Sequence, residues 1–468
     1  MIFEKLETIQ SKIFHTIIIG SGPAGITTAL KLEAQGLDTL IVEAGSEKSN
    51  PNDLKYLDGT TTGDNYTDLK FTRLRQFGGT SGLWGGVCDA LNKNDFKDWP
   101  INKKDLDLYL NETKKILNIR NDFYYKKFSD NLNYFNLSWS DVRFKEKYFD
   151  YIKKSKKISL SLNTIFCNFE GSDGNVENIL CYKNKFIKLK SKYYILSCGG
   201  IENSRLLLIS KNKFPQLFAY DLPIGKYYID HPKHKIGSGI IEFKKLKNYA
   251  QQRNINLPNL ECENLQLSLN ELFQRKNNVL NSAVSFRFKR VNTSSNLIKQ
   301  AACVAPKFIQ KIYSSIKEKD VYEFSLSIIQ EQQPSYNIQI QLSNKVDPLG
   351  LPLPKVHWER KPLMRNSAIK IIDEISKLFI KNDIGRLAIN EKILIDNNYK
   401  ITLGNHQMGG TRIGENIDDS VVNEHLLVHG FKNLYINGSS VFRTGGHAHP
   451  TFSIVQLATR LGEHLSKA

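Results

Sequence analysis

The run HTIIIGSGPAG at residues 15–25, with DTLIVEAG following at 38–45, constrains this chain more than any other feature. β-Branched residues ending at Gly20 predict a buried strand over 15–20. ITTALKLEAQG (26–36) predicts a helix stopped by Gly36, and 38–45 a second strand. A strand, a tight glycine turn, a helix and a parallel strand form a βαβ unit, which needs such a crossover. The turn is a dinucleotide fingerprint. Gly20 permits the sharp turn, Gly22 lets the backbone approach a pyrophosphate, and Gly25 permits close helix packing. Pro23 and Ala24 open the helix, whose N-terminus offers N–H groups to an anion. Glu43, about 20 residues on, is placed to accept hydrogen bonds from ribose hydroxyls. The fingerprint by itself does not separate FAD from NAD.

The C-terminal end is the second informative region. NHQMGGTRIG (405–414) and NLYINGSSVFRTGGHAHPTFSIVQLATRLGEHL (433–465) hold His406 and His449 in glycine-rich turns. A cofactor turn at one end and a histidine pair at the other predict that the first and last segments meet in space. The strand KYYILSCGG (192–200) leads into a helix over 201–210. The alternating runs IGSGIIEF, AVSFRFKR, EFSLSII and NIQIQLS within 236–345 predict one large antiparallel sheet. Helices are expected over 103–118, 362–383 and 452–465. Residues 121–150 carry no clear period. The expected fold class is α/β plus antiparallel β: a Rossmann-like dinucleotide-binding domain with a substrate domain on a large antiparallel sheet flanked by helices. The expected division is discontinuous, with 1–90, 151–232 and 400–468 binding the cofactor and 91–150 and 233–399 forming a substrate-binding cap.

With 468 residues there is length for two or three domains. No apolar run reaches the roughly 18 residues of a membrane span, and residues 1–14 lack an export signal, so a cytoplasmic location is expected. The six cysteines are scattered without a C-x-x-C, which excludes zinc ribbons and c-type haem attachment. No histidine spacing matches a metal motif, so no metal is expected. The net charge of +18 is spread along the chain, and no basic and aromatic nucleic-acid module accompanies it.

Six segments in order resemble the glucose–methanol–choline (GMC) oxidoreductases: the fingerprint ending in IVEAG, FGGTSGLWGG (77–86), SCGGIENSRLLL (197–208), GKYYIDHP (225–232), NHQMGGTRIG and the tail. The loop GGTSGLWGG followed by DFKDWPINKKDLDLYL is nearest in style to the pyranose-oxidase-like, sugar-oxidising branch. The resemblance implies FAD and oxidation of a CH–OH group on an alcohol, sugar or polyol, with oxygen or an electron carrier as reoxidant. It implies Gly78, Gly79, Trp84 and Gly85 against the flavin and pyrophosphate. Ser197, Cys198 and Gly199 would lie near the adenosine, Gly438 and Ser439 at the diphosphate turn with Asn437 at the usual acidic position, and Pro450 and Thr451 at the flavin ring. Some sugar-oxidising relatives bond flavin covalently through a histidine before that tryptophan. Leu83 stands there instead, so noncovalent FAD is expected.

His406 fills the family's catalytic histidine position, and His449 the position before proline that related tails often give to asparagine. His406 is expected to be the base, since imidazole titrates near neutrality, and His449 to bond the substrate oxygen. His231 of the DHP run is expected to be structural, and His447 to point away. Glu331 and Gln332 are candidate polyol contacts. The alternatives are a non-redox flavoprotein lyase on the same fold and, from the fingerprint alone, an NAD-linked dehydrogenase.

Overall fold

The structure, a computed structural model, describes residues 3, 9–258, 264–290, 321–390, 392–393, 401–403 and 405–468. Cys262, Cys303 and residues 1, 2 and 4–8 lie outside these.

The strands Ile13–Ile19, Thr39–Val42, Ile158–Ser161, Lys185–Leu196 and Leu434–Ile436 form a parallel sheet. Its pairing puts Ile19 beside Leu196 and Leu196 beside Ile436. Their runs of Ile, Leu and Val are buried on both faces, as parallel strands require. The N-terminal half of Lys185–Leu196 also pairs with Asn175–Lys183, and that strand with Ile165–Ser172, in an antiparallel extension. The helices Pro23–Ala34 and Thr451–Lys467 pack on each other, so the two chain ends share one layer.

A second sheet is antiparallel throughout. It runs Gly385–Ile389, Pro232–Glu242, Val321–Gln330, Ser282–Arg290, Leu265–Leu269, Leu132–Phe135, Tyr125–Lys127. Helix Pro362–Lys381 buries Ala368, Ile371, Ile375 and Phe379 in a core with Val284, Phe286, Phe324 and Leu326 from alternate strand positions.

Two expectations differ from this arrangement. NIQIQLS does not extend the large sheet. Gln339–Val346 pairs with Pro352–Trp358, and that strand with Thr60–Gly63, in a separate sheet against helix Gly199–Lys213. Alternation reveals which face of a strand is buried and leaves its partner open. Leu91, Phe96, Trp99, Leu106 and Ile119 pack in the core of the parallel sheet, and within 91–150 the antiparallel sheet takes only the strands at 125–127 and 132–135. The helix expected over 103–118 is broken into Lys103–Asp107 and Leu110–Ile116.

Gly25 marks where helix and strand are closest. A Cβ there would stand 2.0 Å from the Gly20 carbonyl oxygen. Gly25→Ala is therefore expected to lower stability by about 1–3 kcal/mol, the usual cost of overpacking. Urea unfolding with a wild-type midpoint would show that the two backbones can separate freely.

Candidate active site

The three central parallel strands end at one edge of the sheet, and a cleft of about 540 Å³ opens there. Open α/β sheets bind ligands outside the carboxyl ends of their strands. Here those ends release Gly20–Gly22, Ser197–Gly199 and Asn437–Ser439. Gly20 holds φ +100° and Gly438 φ +109°, conformations that favour glycine. No atom approaches within 4 Å of where a Gly22 side chain would begin, so the backbone there is open to a close ligand.

Glu43 is buried at this edge. Its Oε2 accepts bonds from the Ser21 N–H (2.9 Å) and Ser21 Oγ (2.7 Å), and its Oε1 accepts the Gly45 N–H (2.7 Å). A carboxylate offers about four acceptor sites, so one on Oε1 is left toward the cleft. Burial raises the Glu43 pKa against the pull of these donors. Below it, Arg205 binds Asp347 (2.7 Å) and Glu202 (2.9 Å), and Arg73 also pairs with Glu202, which holds the floor of the cleft rigid. Ser197 Oγ is buried with no hydrogen-bond partner among the described residues, and Ser197 lines the cleft. A glycine-rich cradle, a carboxylate with spare capacity and an orphaned hydroxyl fit an adenine dinucleotide.

Of the residues anticipated at a cofactor, Gly20, Gly22, Pro23, Ala24, Glu43, Gly79, Trp84, Gly85, Ser197, Cys198, Gly199, Gly438, Ser439, Pro450 and Thr451 all line this cleft. Gly25 and Gly78 do not. Gly78 sits behind it, with its N–H on the Ser21 carbonyl (3.0 Å) and a virtual Cβ 2.8 Å from Lys145 N, so it shapes the loop. Asn437 also faces away. Its Oδ1 takes the Gly438 N–H (2.8 Å) and its Nδ2 binds Thr28 Oγ1 (3.0 Å), which forms the turn. Leu83 lines the cleft and is 67% exposed. The Cys198 thiol bonds the Ile19 carbonyl (3.3 Å), and burial holds its pKa well above the usual thiol range, so it carries no thiolate.

The histidines meet because residues 405–408 are stitched to two other segments. Met408 and Ile229 exchange backbone hydrogen bonds (2.8 and 2.9 Å). On the other side, Gly409 N–H bonds Ser439 O (3.1 Å) and Ser439 Oγ bonds Gln407 O (2.6 Å). His406 and His449 both line the cleft, with ring centroids 4.9 Å apart. Burial lowers both pKa values. That of His406 falls well below the ordinary range, helped by His449, His231 and Lys233; that of His449 falls to about 4, helped by Lys233. Both rings are thus neutral at neutral pH.

His231 was expected to serve the connection between domains. It lies against His406, with Nδ1 to Nδ1 at 2.8 Å. Asp230 beneath them accepts the His231 N–H (2.7 Å), the His406 N–H (2.9 Å) and the Tyr66 hydroxyl (2.8 Å). The DHP run was visible in the sequence, but its partner is 175 residues away. His447 points out of the cleft, to Asn281 Oδ1 (2.8 Å) and the Tyr125 hydroxyl (3.2 Å). Gln332 is taken up by Trp358 Nε1 (2.7 Å) and the backbones of Asp230 and Tyr228, so it has no free group for a polyol. Glu331 accepts the Asn281 N–H (3.2 Å), and burial raises its pKa to about 7.

Comparison with known proteins shows what this fold is similar to. Residues 335–458 match the family model described as GMC oxidoreductase, and residues 15–52 the one described as FAD binding domain. Residues 335–458 thus resemble the C-terminal part of the GMC oxidoreductases, and residues 15–52 a FAD-binding segment. It is 25% identical to 2-methyl-1,2-propanediol dehydrogenase of Mycolicibacterium austroafricanum over 288 residues, 60% of this chain and 49% of that one. It is 23% identical to the fructose dehydrogenase large subunit of Gluconobacter japonicus, over 59% of this chain and 47% of that one. It thus spans about half the length of these curated relatives. Among solved structures, an R554A variant of Aspergillus oryzae RIB40 formate oxidase aligns with a TM-score of 0.60 at 14% identity, over 98% of this chain and 99% of that one. Pyridoxine 4-oxidase from Mesorbium loti aligns with a TM-score of 0.60 at 12% identity, over 96% and 99%. These likenesses show the fold. No helix among the described residues is long and apolar enough to cross a membrane.

The depressed histidine pKa values predict a pH response. A histidine held neutral in the native state gains protons only on unfolding as pH drops below about 6.5. Its contribution to stability is complete above that value and is lost as pH falls toward the folded pKa. An NMR titration from pH 8 to 5 should therefore leave His406 and His449 neutral. A transition of either ring near 6.5 would show that it is solvated.

Proposed function

We propose that this protein is an FAD-dependent enzyme that oxidises a CH–OH group on a small alcohol, sugar or polyol, with His406 as the base. The observation that carries this reading is the placement of two neutral, part-buried histidines on the same cleft as the glycine cradle and Glu43. Glu43 would bind the adenosine ribose. The turns at Gly20–Ala24 and Gly438–Ser439 would hold the diphosphate, with the N-termini of helices Pro23–Ala34 and Thr451–Lys467 turned to the cleft. Gly79, Trp84, Gly85, Pro450 and Thr451 would border the flavin ring, and Ser197, Cys198 and Gly199 the adenosine side. When bound, FAD supplies the acceptor for the hydride that leaves the carbinol carbon.

The protein's part is proton handling. His406 takes the hydroxyl proton, the oxygen becomes a carbonyl, and His449 donates a hydrogen bond that keeps the substrate oxygen in place. A neutral imidazole has a lone pair ready for this at neutral pH, and the buried setting excludes competing water. Noncovalent attachment is supported by Leu83, which offers no nucleophile, and by the un-ionised Cys198 thiol. The named relatives are dehydrogenases and oxidases, which favours redox chemistry over the lyase and leaves both oxygen and a carrier open as reoxidant. The free thiols Cys88, Cys167, Cys181 and Cys198 suit a reducing, cytoplasmic setting.

The test is an absorption spectrum of purified protein, recorded anaerobically before and after adding D-fructose, D-glucose, 2-methyl-1,2-propanediol, pyridoxine or formate. One compound is expected to bleach the flavin in the wild type and to do so at least about 100-fold more slowly in His406→Ala, the range for loss of a general base. Acid precipitation is expected to release the flavin into solution. Unchanged bleaching in His406→Ala would remove His406 from the base role, and flavin retained in the pellet would show a covalent bond.

A further inference from the structure

The contact between His231 and His406 restricts what His406 can do. We propose that His231 is a positioning residue that sets the tautomer of His406: the His406 Nδ1–H donates to His231 Nδ1, which leaves the Nε2 lone pair of His406 free to take a substrate proton. This inference rests on the reading of His406 as the base.

Two Nδ1 atoms at 2.8 Å form one hydrogen bond with one proton between them. A neutral imidazole has one donor nitrogen and one acceptor nitrogen. So the ring that donates through Nδ1 keeps a lone pair on Nε2, and the ring that accepts through Nδ1 carries its proton on Nε2. Only the first arrangement lets His406 act as a base at Nε2. The second would present an N–H to the substrate.

The reading of His406 as the base requires the first arrangement, so the proposal assigns the shared proton to His406. Its Nε2 is buried against the Gly445–Gly446 backbone, where a Cβ added at Gly445 would lie 2.8 Å away. Among the described residues that nitrogen has no hydrogen-bond partner. With the His231 proton on Nε2, its Nδ1 is the acceptor. Burial keeps His231 neutral, with a pKa near 3, so it does not turn into a second donor at neutral pH.

The pair is held by the main chain. The antiparallel bridge between Ile229 and Met408 sets residue 231 directly opposite residue 406, and directly opposed residues bring their side chains together. Asp230 takes both backbone N–H groups on one carboxylate oxygen. Asn405, in the left-handed region at φ 55°, turns the chain into this register. The rings meet at 85°, an edge-on approach that suits a hydrogen bond in the plane of one ring.

Replacing His231 by Asn or by Gln separates tautomer control from simple packing. The Asn amide stands where Nδ1 stood and can accept there; the Gln amide stands where Nε2 stood. Nitrogen-15 NMR of histidine-labelled protein, with His406→Ala to assign the resonance, reads the tautomer without substrate. The wild type and His231→Asn are expected to carry the His406 proton on Nδ1, and His231→Gln to lose that preference. Flavin reduction by the panel compound most active on the wild type is expected to be about 10- to 100-fold faster in His231→Asn than in His231→Gln, the scale of a supporting hydrogen bond, with KM little changed. A wild-type proton on His406 Nε2, or Asn and Gln variants with the same tautomer and rate, would overturn the inference. Variants with the same tautomer and rate would leave the base reading intact, whereas a wild-type proton on His406 Nε2, or wild-type reduction by His406→Ala, would defeat that reading as well.

Discussion

The structure depends on one strand and its two parallel neighbours. Lys185–Leu196 lies between Ile13–Ile19 and Leu434–Ile436, all buried at their shared ends. Parallel strands require crossovers, and here these run through most of the chain, so residues near 20, 198 and 438 leave the sheet side by side. Their turns form the cradle because they leave the same edge. Most of the antiparallel sheet is inserted between the second and third of these strands, and its strands at 125–127 and 132–135 between the first and second.

The histidine cluster sits at the root of that insertion. Residues 228–231 leave the nucleotide-binding half and lead into Pro232–Glu242 of the second sheet, while 405–408 return from it. Asp230 ties both passing chains together, so the joint between the two halves also places His406. Burial at this joint is what keeps His231, His406 and His449 uncharged. For a base this is useful, because a buried imidazole holds its lone pair without competition from water. It also leaves polar atoms without partners, His449 Nδ1 among them, a cost that a bound ligand in the cleft would offset.

Much of this was legible in the sequence because local chemistry dictated it. Gly20, Gly22 and Glu43 announced the cradle, and Gly36 at φ +75° ended the first helix as expected. The tail strand and helix were found because Leu434–Ile436 and Thr451–Lys467 carry clear apolar patterns. Other features depended on distant partners. The break near Leu108 has no glycine or proline to mark it. The strands within 121–150 have two to four residues, too few for a period to show. Gly78 looked like a ligand contact because it belongs to a glycine run, yet only its neighbour Gly79 reaches the cleft. His231 read as a connector because nothing near it in sequence reveals His406 across the bridge.

The central claim is that segments more than 350 residues apart in sequence build one flavin site. A crystal structure of the protein saturated with FAD tests it most directly. The account predicts the ribose hydroxyls at Glu43 Oε1, the diphosphate between the turns at Gly20–Ala24 and Gly438–Ser439, and the flavin ring beside His406 and His449. Density for FAD that leaves Gly438–Thr451 untouched, or a protein that takes up no FAD, would contradict it.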